Sequence, residues 1–199
     1  MTLGAPVFSP SRMQLGNLVA FAAWESQEAI VDFLASTKLG GVLSRGWHLR
    51  LEFKRRWGHV CSFDGLAESV GEQDPDATVF AFTLARMKIL QVPRFIQWGR
   101  PVEELVRDHP SVTLAGAAMR LPNSVATFSI WKTQREMTDM VRGHSSVPQP
   151  ERHAVAMAER ERKDFHYEFT TLRFKPLAEF GEWEGRTGFC ANPGIRRLL

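Results

Sequence analysis

The sequence predicts an α+β fold written twice, with the first copy shortened. Three observations carry this reading. Phe21, Trp24, Gln27 and Asp32 recur in the same order and spacing as Phe128, Trp131, Gln134 and Asp139. Each stretch passes from a short apolar run into a capped amphipathic segment, so one strand-then-helix unit is used twice. Between the copies lies a further strand, helix and strand, which gives the later copy the order βαββαβ of a ferredoxin-like unit. We therefore expect tandem ferredoxin-like units: an incomplete repeat over residues 1–72, and a complete repeat with a C-terminal tail over 73–199.

The elements follow in order. Residues 1–16 are rich in Gly, Pro and Ser and are expected to keep only the remnant of a strand and its loop. Residues 21–26 read as a short strand. Ser26 then caps a helix whose apolar face holds Ala29, Ile30, Phe33 and Leu34. Residues 47–53 alternate apolar and polar, as a half-buried strand does. Residues 72–76 are polar and turn-forming, a linker.

The second copy opens with a strand at 78–84, then a helix at 93–108 with Pro93 suited to its first turn. Strands follow at 111–116 and 126–131. Thr133 caps a helix with Met137, Met140 and Val141 on its apolar face. His153 opens another helical run, and residues 165–174 form the closing strand. Trp24 is expected over Trp131. Each antiparallel sheet would have one face under helices and one bare apolar face, and a bare apolar face must be buried. The shortened first unit leaves an open edge or face near residues 1–20, so a homodimer is expected to cover it.

Composition narrows the function. A net charge of +3 with basic and acidic residues interleaved gives no nucleic-acid footprint. Cys61 and Cys190 are far apart and match no metal spacing, which points to a reduced, cytoplasmic setting. The first residues lack the basic and apolar regions of a signal peptide, and no apolar run is long enough to cross a bilayer. There is no GxGxxG, GxxxxGK[ST], CxxC or HExxH. A two-histidine-one-carboxylate iron site from His144, His153 and an acid is not singled out by spacing.

Several stretches carry a resemblance. They are Leu84-Ala85-Arg86-Met87-Lys88 followed by Pro93-Arg94-Phe95; Ala126-Thr127-Phe128-Ser129-Ile130-Trp131; and His153-Ala154-Val155-Ala156-Met157. Phe165, Arg173-Phe174 and Gly181-Glu182-Trp183-Glu184-Gly185 complete the set. From residue 78 onward the chain resembles the spheroidene monooxygenase family, heme-associated carotenoid oxygenases of the dimeric α+β barrel type. The likeness is fainter over 17–66. Arg152 stands where the family has a Gly, His166 where it has an aromatic, and residues 145–151 are inserted.

The resemblance implies a monooxygenase that holds heme and acts on an apolar substrate, a carotenoid or another isoprenoid. Heme asks for one neutral imidazole and an apolar slot, and 14 Phe, 6 Trp and 7 Met supply lining for such a slot. His153 is the expected iron ligand, at a helix start with small neighbours, and the insertion makes His144 the second candidate. Arg86 and Arg173, with Arg94, are candidates to pair with the propionates, because a guanidinium meets a carboxylate with two parallel bonds. His48 and His166 sit at matching places in the two copies and read as structural. Two alternatives stay open: a non-catalytic binding or scaffold protein, and a cofactor-independent monooxygenase.

Overall fold

Alternation along the strands decides how this chain packs. The computed structural model describes residues 1–5, 9–10, 12–14, 16–190 and 196–198, the last three by their backbone. The order is α1 (Gln27–Ser36), α2 (Lys38–Leu43), β1 (His48–His59), β2 (Val79–Met87), α3 (Val92–Asp108), β3 (Val112–Arg120), β4 (Ser124–Trp131), α4 (Gln134–Arg142), α5 (Arg152–Arg162), β5 (His166–Phe180) and β6 (Arg196–Leu198). The protein is α+β. Its long strands form one antiparallel sheet in the order β1-β5-β2-β4-β3, and β6 runs parallel to the end of β5. Within residues 79–180 the strands lie fourth, first, third, second, an arrangement compatible with a ferredoxin-like unit.

Successive side chains on a strand point to opposite faces, and β2 sorts its residues accordingly. Val79, Ala85 and Met87 face the helices. Val79 joins Leu105 of α3, Trp131 of β4 and Met137 and Met140 of α4 in one buried cluster. Ala85 and Met87 join Phe165, with Phe95 and Trp98 of α3 packed against them. Burying such a side chain contributes about 1.5–3 kcal/mol. Thr133 caps α4 as its sequence suggests: its Oγ1 accepts the Glu136 N–H at 3.2 Å and its hydroxyl donates to Glu136 Oε2 at 2.8 Å. The helix stops at Gly143, whose φ of 75° is the left-handed C-terminal cap that glycine tolerates.

Phe80 and Phe82 point the other way. With Leu114, Phe128, Ile130, Leu172 and Phe174 they form the core of the face that no helix covers. Loops cover it in part, through Phe21, Phe63, Trp47 and Trp183.

The first copy departs from expectation. Residues 17–24 form no strand, and Trp24 is 40% exposed and packs on Phe33, whereas Trp131 is 1% exposed against His109. The two tryptophans are therefore not equivalent. The physical reason lies in Phe21, which drops onto the bare face and stacks on Phe82 at 4.2 Å, so its segment follows the face rather than pairing with an edge. Ser26 does cap α1, accepting the Ala29 N–H at 3.2 Å, yet no residue of α1 is buried. Residues 48–59 form a single long strand that joins the sheet of residues 73–199, and no second sheet exists among the described residues.

The expected open edge near residues 1–20 is also altered. Met1 and Ala117 exchange two backbone hydrogen bonds at the outer edge of β3. On the far side, Arg56 and Lys54 of β1 bond Glu68 and Val70. No helix among the described residues is long and apolar enough to cross a membrane.

Candidate functional site

Small residues make the site. On the face away from the helices, Gly116 and Ala118 of β3 and Ala126 of β4 lie low between Leu84, Leu114 and Phe128, and a cavity of about 1130 Å³ opens above them. It is slightly larger than the ~300–1,000 Å³ usual for small-molecule pockets. Gly116 cannot be larger without moving Phe128, because a Cβ there would stand 2.6 Å from the ring.

Three loops wall the cavity. Residues 17–21 are held by Phe21, which besides stacking on Phe82 meets Phe63 and Phe174 edge-on at 5.9 and 5.4 Å. The second wall is the 3-10 turn Cys61–Phe63 after β1. Gly58 lets the strand turn there: its φ is 79°, and a Cβ would lie 2.4 Å from the Phe169 carbonyl oxygen. The third wall carries Trp183 and Arg186. It is fixed by Glu179, buried at 3% exposure, which accepts N–H bonds from Gly188, Phe189 and Cys190.

The rim is basic. Arg86, Arg107, Arg120 and Arg186 line it against Glu168 and Glu184. Arg86 lies 3.7 Å from Glu168 and over the Tyr167 ring, and Arg107 is bound to Asp108 by two bonds of 2.7 and 2.6 Å. Glu168 also hydrogen-bonds Cys61 and raises its thiol pKa, so the thiol is protonated at neutral pH and is a poor nucleophile. The arrangement suits a largely apolar molecule with polarity at one end.

The residues nominated from the sequence do not meet. Arg86 is on the cavity rim. Arg173 pairs in register with Ala81 and Arg55 and points to the helix face; its pKa is lowered by burial, then by Arg55 and Arg142. Arg94 is engaged by Glu159 Oε1 at 2.8 Å and by two carbonyls. His144 is exposed in the loop after α4. His153 donates Nδ1–H to the Val141 carbonyl at 3.0 Å, and burial lowers its pKa. His48 stacks on Phe180 at 4.6 Å, and His166 is buried among Phe95, Phe165 and Phe169.

Heme would need an imidazole, an apolar slot and partners for its propionates in one place. The tautomer of His153 leaves Nε2 free, as an iron ligand requires. The rest does not fit. Arg86 and Arg173 are on opposite faces of the sheet, no histidine is among the described residues that line the cavity, and the helix side is filled by packed side chains. The nominated set therefore does not form one heme site.

The floor residues were missed in the sequence. Their signal was the run Leu114-Ala115-Gly116-Ala117-Ala118, a strand that is small on both faces. No family model matches the chain, and no curated protein matches it. Among solved structures, a conserved protein from Methanosarcina mazei Go1 is similar, with 12% identity and a TM-score of 0.41 over 51% of this chain and 94% of that chain.

Proposed function

We propose that this protein binds an apolar small molecule on the open face of its sheet, with any anionic end of the ligand at the basic rim. The observation that carries this reading is the cavity of about 1130 Å³ with its floor of Gly116, Ala118 and Ala126. A concave, largely apolar cavity with a few polar groups at its edge is a common mark of a binding site. In the same reading a second copy of the chain closes the mouth, where Leu18, Leu121 and Met119 are 69%, 78% and 48% exposed. This would be the face-to-face pairing of the dimeric α+β barrel type. Oxygen insertion into the bound molecule is the activity that the family resemblance adds, and it is assigned to no residue here.

The test is titration with a fluorescent polyene fatty acid, parinaric acid. Saturable binding is expected, with quenching of tryptophan emission through Trp183 at the wall. Ala118→Phe and Ala126→Phe fill the floor and should weaken binding by about tenfold or more, which is ~1.4 kcal/mol. Equal affinity in both variants, with folding intact by circular dichroism, sinks the reading. Sedimentation of the parent at high concentration checks the dimer, and a strict monomer removes that part alone.

A further inference from the structure

The turn that walls the cavity brings together three residues that the sequence keeps apart in chemical type. His59 ends β1, Cys61 opens the 3-10 turn, and Asp64 closes it. One ligand atom from each lies within 4.8 Å of the other two, and among the described residues this is the group of three or more histidine, cysteine and carboxylate side chains so placed. His59 Nε2 and Asp64 Oδ1 are already 2.6 Å apart.

We propose that His59, Cys61 and Asp64 form a zinc-type divalent metal site on the cavity rim. A thiolate, an imidazole and a carboxylate are the donors that zinc accepts, at about 2.3, 2.0–2.1 and 2.0–2.2 Å. Bonds of that length at tetrahedral angles put neighbouring donor atoms about 3.3–3.7 Å apart. The three atoms lie within 4.8 Å of one another, and the His59–Asp64 pair at 2.6 Å has to open to admit the ion. Both side chains are free to do so, being 61% and 54% exposed. Sulfur disfavours magnesium and calcium, which take oxygen.

The backbone holds the turn ready. Gly58 supplies the left-handed bend just before His59. Glu168 Oε1 accepts the Cys61 N–H at 3.3 Å, and the Val60 carbonyl accepts the Phe63 N–H at 2.9 Å. Three protein ligands leave the fourth position of a tetrahedral ion to water or to a ligand atom. Cys61 lines the cavity, so that position lies at its mouth. The site does not rest on the apolar-ligand reading, since its donors and its test are separate from the floor residues.

The experiment uses the full chain, reduced and stripped with EDTA, and titrated with cobalt(II) as the spectroscopic stand-in for zinc. The expected result is a thiolate-to-cobalt charge-transfer band with intense visible bands of a four-coordinate ion, both removed by one equivalent of zinc. Cys61→Ser should abolish the charge-transfer band. His59→Ala and Asp64→Asn should each weaken binding by about 100-fold or more, beyond the 10–100-fold typical of lost supporting groups. Cys190→Ser should change nothing, because that thiol is buried. Because Glu168 keeps the metal-free thiol protonated at neutral pH, the second readout is made in alkaline buffer, where the thiolate forms without metal. There zinc should protect Cys61 from alkylation by iodoacetamide, measured by mass spectrometry. The proposal is overturned if the parent shows no charge-transfer band, if the band survives Cys61→Ser, or if zinc leaves alkylation of Cys61 unchanged.

Discussion

The carboxylate of Glu179 accepts the indole N–H of Trp47 at 3.0 Å, across the junction between the start of β1 and the end of β5. The same carboxylate holds three successive backbone N–H groups, so one buried anion ties β1, β5 and the segment carrying Trp183. Glu179→Ala leaves those donors buried without a partner, at about 1–3 kcal/mol for each group that finds no water. A lower urea midpoint is expected, together with weaker parinaric acid binding as the third wall loosens. Trp47→Phe removes a single donor and should cost about 1 kcal/mol from that bond. If Glu179→Ala matches the parent in both measurements, the wall is held by something else.

His166 predicts how stability responds to acid. Its ring is 4% exposed among three phenylalanines, and its Nδ1 lies 3.2 Å from Asp164 Oδ1 without hydrogen-bond alignment. Burial pushes its pKa down to about 4. In the unfolded chain the imidazole titrates near ~6.5. Between those values the unfolded state holds more protons, so stability should fall as pH drops from about 6.5 towards 4, by on the order of 3 kcal/mol. Urea midpoints at both ends of this window should differ less in His166→Phe. An identical pH response in variant and parent would refute the assignment.

Arg55 and Arg173 face each other across β1 and β5, and among the described residues no ion pair or hydrogen bond engages either guanidinium. Like charges directly opposite in a sheet cost roughly 0.2–1 kcal/mol. Arg55→Thr should therefore raise the denaturation midpoint in dilute buffer. The gain should shrink in about 1 M salt, where the screening length falls to ~3 Å. Destabilisation at both ionic strengths would show that Arg55 contributes by packing instead.

Hemin titration separates the sequence-based expectation from the geometry. No Soret shift dependent on His153 is expected, because the nominated residues are divided between the two faces. His153→Ala should instead loosen α5, since its imidazole bridges to Val141. A Soret shift in the parent that disappears in His153→Ala restores the heme reading.

Legibility followed locality. The cap at Thr133, the helix after Pro93 and the alternating strand at residues 48–53 are local patterns, and each appears where the sequence puts it. The likeness between residues 18–34 and 125–141 is real as sequence, but Phe21 and Phe128 reach their places by different routes. Phe128 extends from a paired strand, and Phe21 lies in a loop that the sheet face attracted. Pairing depends on which edge is free, and no local pattern records that. The cavity floor comes from two strands side by side, and the metal-ligating turn from three residue types without a known spacing. The floor emerges only once β3 and β4 are paired, and the turn is held only once Glu168 of β5 meets the end of β1.

The place of β5 has a consequence for synthesis. It is made after the other four long strands described, yet it lies between β1 and β2. Until residue 180 has left the ribosome, the nascent chain carries two strands whose shared neighbour does not exist. Such unpaired edges attract other chains, and pairings this distant in sequence form slowly. A stalled or truncated copy ending before His166 would display Phe53 and Phe82 with nothing between them. Quality control in the cell would meet these strands as an open sheet first and as a joined one only after β5 is made.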